Sequence, residues 1–119
     1  HGYSYKLEHI GGYFNDYLRL MDHWDEVLPG KVKLVQYEDM VRDTETSVRE
    51  ILAHIGVDFE DACLRFYENT RAVKTASSEQ VRQPIYTNSI GRWQSVPEQL
   101  KPLSDSLGEE TMARFQQYL

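Results

Sequence analysis

The residues whose types could do chemistry gather in one stretch. From about residue 68 to residue 93 no apolar period holds, and Thr70, Thr75, Ser77, Ser78, Asn88 and Ser89 interrupt any pattern, with Pro84 breaking it outright. Between Arg71 and Gln94 the bases are Arg71, Lys74, Arg82 and Arg92, and the one acid is Glu79. The segment therefore carries +3 in a chain of net charge -6, which leaves -9 on the rest. Guanidinium groups bind phosphate or sulfate through two parallel donors, and hydroxyls and backbone N–H groups take the remaining oxygens. A basic, hydroxyl-rich loop on an acidic chain is thus a candidate anion site, against the plainer reading of a solvated surface loop. Gly91 beside Arg92 allows close backbone approach to an anion. Trp93 packs under the loop and fixes Arg92, or else stacks on a ligand. A loop this long is usually functional when it is ordered.

Other chemistries find little support. His1, His9, His23 and His54 lie far apart with no HxxxH pair, and the one cysteine, Cys63, supplies no cluster, so no metal is expected. No GxSxG or Cys–His arrangement suggests a hydrolase. Gly11-Gly12 is not a dinucleotide fingerprint, and there is no GxxxxGK[ST] loop to wrap a diphosphate. The net charge argues against broad nucleic-acid binding. No apolar run approaches the ~20 residues of a membrane helix. No signal peptide is visible in the polar, aromatic opening. A single cysteine lends an oxidising compartment no support, so a cytoplasmic location is expected.

The elements that must position the loop read mostly as helix. Ile10, Tyr13, Phe14, Tyr17, Leu18, Met21, Trp24 and Leu28 follow a helical period, and Pro29-Gly30 ends it. Residues 32–37 are brief and rich in β-branched side chains, and read as a strand. A strand after a long helix suggests a βαβ unit whose first strand lies upstream. Tyr37 would then stand at the C-terminal end of that strand, the edge where open α/β sheets place ligands, or be an ordinary strand-end aromatic. Asp43 is a good N-cap for a second helix, with Val48, Ile51, Leu52 and Ile55 on its buried face and Gly56 just past its end. A weaker helix covers residues 60–67, with Ala62, Cys63 and Phe66 inward. Pro97 suits the first turn of a closing helix, and Gly108 separates Leu100, Leu103 and Leu107 from Met112, Phe115 and Leu119. Tyr13, Phe14, Tyr17, Trp24, Val35, Ile51, Leu52 and Ile55 are expected to be buried together, with some apolar surface left uncovered.

Two runs of residues now point to a family. Val35-Gln36-Tyr37-Glu38-Asp39-Met40-Val41 resembles the Tyr-Glu-Asp segment of sulfotransferases that use 3′-phosphoadenosine 5′-phosphosulfate, and Ile51-Leu52-Ala53-His54-Ile55-Gly56 follows at the family spacing. Ser77-Ser78-Glu79-Gln80-Val81-Arg82-Gln83-Pro84-Ile85-Tyr86, followed by Ser89-Ile90-Gly91-Arg92-Trp93, is similar to tyrosylprotein sulfotransferases. It is closer still to bacterial sulfotransferases fused to tetratricopeptide repeats. The likeness runs from about His9 to the C-terminus.

The resemblance implies an α/β fold, with residues 1–119 forming the mostly helical C-terminal part of a P-loop-like sulfotransferase domain. The phosphosulfate loop, an Arg and Ser for the 3′-phosphate and the catalytic base would lie N-terminal to it, so the isolated piece is expected to be inactive. It implies that Tyr37 contacts adenine and that Ser77 sits near the transferred sulfuryl group and stabilises the transition state. Ser78, Glu79, Gln80, Val81, Arg82, Gln83, Pro84, Ile85 and Tyr86 would line the nucleotide, largely through backbone and Gln80. Arg92 would take the place of a family lysine near the 3′-phosphate, keeping the charge and changing a point charge to a fork. Gly91 and Trp93 match the Gly-Asp-Trp-Lys version of the motif, while Gln94 replaces its final lysine. The parent enzyme would transfer a sulfuryl group from 3′-phosphoadenosine 5′-phosphosulfate to a hydroxyl or amine acceptor, without a metal. The alternatives are a non-catalytic helical interaction domain and a piece of a nucleotide-dependent kinase-like P-loop protein.

Overall fold

The structure is a computed structural model that describes residues 6–119; the polar, aromatic opening at residues 1–5, with His1, lies outside the described residues. The chain divides into two compact units, one made of residues 1–32 and 91–119, the other of residues 33–90.

The first unit is built on α1 (Leu7–Val27), the helix that the apolar period predicts. It stops at Leu28, and Gly30 beyond Pro29 adopts φ 72°. Its partner is α4 (Lys101–Arg114), preceded by a 3-10 turn at Arg92–Ser95 and followed by another at Gln116–Tyr118. α4 is two short helices joined at Gly108, whose φ 83° and ψ 165° are closed to residues with a side chain. The sequence places that break correctly. It misplaces the start, because Pro102 and not Pro97 occupies the first turn.

The α1–α4 contact is made by small and polar side chains. Gly11, Asn15, Leu18 and Asp22 recur at helical spacing on one face of α1. Gly11 lets the helices approach so closely that a Cβ there would sit 1.9 Å from Ser106 Oγ. Asn15 Nδ2 donates to the carbonyls of Ser106 (3.3 Å) and Leu107 (3.0 Å), the groups that the break at Gly108 deprives of helical partners. Thr111 Oγ1, just past the break, donates to Asn15 Oδ1 at 2.6 Å. One amide thus caps the carbonyls that end the first half of α4 and bonds to a side chain of the second. Phe14 packs on Phe115 with ring centroids 5.6 Å apart. At the far end Arg114 donates to both oxygens of Asp22, at 2.9 and 3.0 Å.

That fork holds the Asp22 carboxyl below its ordinary pKa, chiefly through the hydrogen bond from Arg114. A depressed carboxyl favours the folded state above its unfolded pKa, and the contribution is lost as pH falls through the folded pKa. In a carboxyl NMR titration Asp22 should titrate below the usual ~3.9. Arg114→Met should return it to the usual range. The difference in melting temperature between the two proteins should vanish at acid pH; a constant difference down to pH ~2 would remove the ion pair as its cause.

The second unit contains α2 (Tyr37–Arg42), α3 (Thr44–Ile55) and a 3-10 segment at Asp61–Glu68 interrupted at Arg65. Asp43 caps α3 as expected: its carboxylate accepts from Thr46 N at 3.2 Å and from Thr46 Oγ1 at 2.7 Å, which lowers its pKa. Gly56 closes the helix at φ 79°. Thr44 Oγ1 donates to Met40 O and joins α2 to α3. Arg49 pairs with Glu45 and lies 3.8 Å above the Phe59 ring.

Two expectations are corrected. Residues 33–36 form no ladder, Gln36 alone being shown in an extended conformation, and no strand occurs among the described residues. A strand is completed by a neighbouring strand, and none is present here for this segment to pair with. Instead Lys33 pairs with Glu50 of α3 at 3.4 Å, and Gln36 O accepts from Met40 N as α2 begins. Tyr37 therefore opens a helix and does not end a strand. The eight-residue core is not buried either: Leu18 is the buried large hydrophobic side chain, while Tyr13 is 56% and Ile55 60% exposed. Phe14, Tyr17, Trp24, Ile51 and Leu52 are half-buried. Tyr13 and Leu20 lie on the side of α1 away from the Gly11–Leu18 row that α4 covers. Uncovered apolar surface, which was also expected, is found along α1 and at Val32, Leu34 and Val35.

Candidate functional site

The candidate residues fall in both units. Tyr37, Ser77, Ser78 and Gln80 belong to the second; Arg92 belongs to the first, just past the boundary. In the second unit the structure ties Tyr37 to the loop. Its hydroxyl donates to the carbonyl of Tyr86 at 3.4 Å, across 49 positions of sequence. Tyr37 is the first residue of α2, so this bond joins the start of that helix to the end of the run beginning at Ser77. Beside it, Gln83, Pro84, Ile85, Tyr86 and Asn88 line a shallow open depression. The side chains of Tyr37, Ile85 and Tyr86 are all exposed, so an aromatic and aliphatic surface faces solvent there.

The loop itself is built of short turns. Ser78 N donates to Thr75 O, and Val81 N to Ser77 O, both at 3.1 Å. Gln80–Arg82 then form one 3-10 turn, with Gln83 N donating back to Gln80 O. Ser77, Glu79 and Gln80 are exposed and Ser78 is half-buried. The Ser77 and Gln80 side chains make no hydrogen bond among the described residues, so both are open to a ligand. Arg82 differs. Its Nη1 donates to Asn69 O at 3.0 Å and its Nη2 to Arg71 O at 3.4 Å. Its guanidinium is turned onto its own loop.

Arg92 begins a 3-10 turn after Gly91, which takes φ 70°. Its carbonyl accepts from Ser95 Oγ at 2.8 Å. Its side chain is exposed and has no ion pair or hydrogen bond among the described residues, unlike Arg49, Arg82 and Arg114. Trp93 is 39% exposed, so it is not buried beneath the loop as the packing reading expected.

Sequence reasoning missed Asn15 altogether and, for Arg82, which it placed against the nucleotide, missed the bonds to its own loop. Both act through backbone carbonyls distant in sequence, and a carbonyl carries no residue-type signal. An asparagine in the middle of an otherwise strong helix was the one available hint for the first.

The model of the sulfotransferase family matches residues 1–61, half of the chain, and the chain belongs to that family. The matched part includes Tyr37 and α3. The chain is also 34% identical over 108 residues to an uncharacterized protein of Aquifex aeolicus (strain VF5), an alignment that covers 91% of this chain and 14% of that protein. The chain therefore spans a small part of the length of the curated relative it matches. No solved structure matches. No helix among the described residues is long and apolar enough to cross a membrane.

Proposed function

We propose that the chain is the C-terminal, nucleotide-binding part of an enzyme that moves a sulfuryl group from 3′-phosphoadenosine 5′-phosphosulfate to a hydroxyl or amine acceptor. Membership of the sulfotransferase family is the observation that carries this reading. In it the segment at residues 33–36, which forms no ladder among the described residues, would belong to a larger P-loop-like α/β domain.

Each unit by itself offers groups of the kind such a nucleotide needs. The exposed faces of Tyr37, Ile85 and Tyr86 suit a base, since aromatic rings stack on any base. The uncommitted Arg92 guanidinium suits a phosphate. The nucleotide supplies the activated sulfate. Ser77, exposed and with no side-chain partner among the described residues, would stabilise the charge that grows on the sulfuryl oxygens as the bond to the leaving phosphate breaks. Gln80 and the backbone of residues 78–86 orient the nucleotide. Catalysis by this part of the enzyme is positioning and electrostatic stabilisation.

The test uses the intact protein. It should bind adenosine 3′,5′-bisphosphate in calorimetry. Ser77→Ala should keep that affinity and lower turnover by ~100-fold, as for loss of one transition-state donor. A wild-type protein that ignores the bisphosphate would leave the helical interaction reading in possession. A Ser77→Ala enzyme that loses affinity and keeps turnover would remove Ser77 from its role.

A further inference from the structure

We propose that Arg82 is a positioning residue. Its guanidinium ties the neck of the loop at residues 69–82 and so holds Ser77, Ser78 and Gln80 in the arrangement that receives the nucleotide. The proposal rests on the nucleotide reading above and assigns Arg82 a role that the family resemblance does not: it acts on the loop, not on the ligand.

Three observations lead there. The two side-chain hydrogen bonds across the neck, to Asn69 O and Arg71 O, both come from Arg82. Asn69 Oδ1 accepts from Arg71 N at 2.8 Å, an Asx turn that fixes how the two accepting carbonyls are aimed. The far end of the loop is internally built, by Ser78 N to Thr75 O and Val81 N to Ser77 O, so it moves as a piece when the neck moves. Residues 72–74 lie between neck and far end and have no regular structure.

The chemistry suits arginine. A guanidinium is a planar fork whose two outer nitrogens reach two carbonyls two residues apart in a turn. A lysine offers one mobile ammonium and cannot span both. A loop held in its binding shape loses less entropy when the ligand arrives. Two of the five guanidinium N–H donors of Arg82 are taken by the neck carbonyls, and in this reading ligand recognition falls to the backbone, Gln80 and Ser77.

The experiment uses the intact protein with Arg82→Met and Arg82→Lys. Amide hydrogen exchange is read at residues 70–79 and, as an internal control, across α3. Affinity is measured for adenosine 3′,5′-bisphosphate, adenosine 5′-phosphate and adenosine 3′-phosphate. In both variants exchange at residues 70–79 should quicken about tenfold while α3 is unchanged. Affinity should fall by about the same factor, roughly tenfold, for all three ligands, since a brace does not distinguish phosphates. Unchanged exchange at residues 70–79 would overturn the proposal. So would a loss confined to ligands that share one phosphate, which marks direct contact, or an Arg82→Lys protein that behaves as wild type. A wild-type protein that binds none of the three ligands defeats the nucleotide reading and the role of Arg82 with it. The exchange data then separately report whether the neck exists.

Discussion

Gly11→Val is expected to destabilise the first unit by ~1–3 kcal/mol, the usual cost of forcing volume into a closed contact. The added Cβ would lie 1.9 Å from Ser106 Oγ, 2.9 Å from Ser106 Cβ and 3.3 Å from Leu107 N. Rotating the serine hydroxyl away would not suffice, because Cβ itself is too close and the hydroxyl would give up its 2.8 Å bond to Leu103 O. α1 and α4 must therefore separate. Separation lengthens the Asn15 bonds to Ser106 O and Leu107 O, which are made from the next turn of α1. The control is Gly12→Ala. No atom lies within 4 Å of a Cβ at that position, so the change should stabilise the helix by up to ~1 kcal/mol through propensity alone. The measurement is the urea midpoint of each protein. Equal midpoints for Gly11→Val and wild type would show that the close approach is not made in solution.

Arg92→Ala is expected to weaken binding of adenosine 3′,5′-bisphosphate by ~1.5–3 kcal/mol, the range for a hydrogen bond to a charged group. Adenosine 5′-phosphate, which lacks the 3′-phosphate, should be affected much less. The prediction rests on the proposed role of Arg92. Its physical ground is that the side chain is exposed and makes no hydrogen bond or ion pair among the described residues, while its backbone is held by Gly91 before it and Ser95 Oγ after it. A held backbone with an uncommitted guanidinium loses little by turning to an anion. Arg92→Lys should fall between the two, keeping charge and losing the fork. Titration calorimetry on the intact protein separates the cases. Equal losses for both ligands would remove Arg92 from the 3′-phosphate.

These two residues differ in how far sequence alone leads to them. Arg92 stood out as a base beside glycine in a basic, hydroxyl-rich stretch, and the structure adds that nothing within the described residues occupies it. Gly11 was noticed only as part of a Gly-Gly pair that fails a nucleotide fingerprint. Its role depends on Ser106, which is distant in sequence.

What the amino-acid sequence determined by itself is the set of helix limits. Pro29-Gly30 ends α1, Asp43 caps α3, Gly56 closes it and Gly108 breaks α4, because caps and breaks are made by residues within one turn of the backbone they act on. The same locality explains the misread start of α4, where two prolines competed for one first turn and Pro102 took it. Tertiary structure alone decided the rest. A period of apolar residues shows that a helix has an apolar face, not whether a partner covers it, so Tyr13 and Ile55 are exposed despite sound patterns. A run of β-branched residues shows that a segment favours extension, not that a second strand is there to bond it, so residues 33–36 form no ladder. The Asn15 clamp, the Arg82 neck and the Tyr37–Tyr86 bond all end on main-chain carbonyls. Every residue has such a carbonyl, so only the folded path of the chain selects which one a side chain meets.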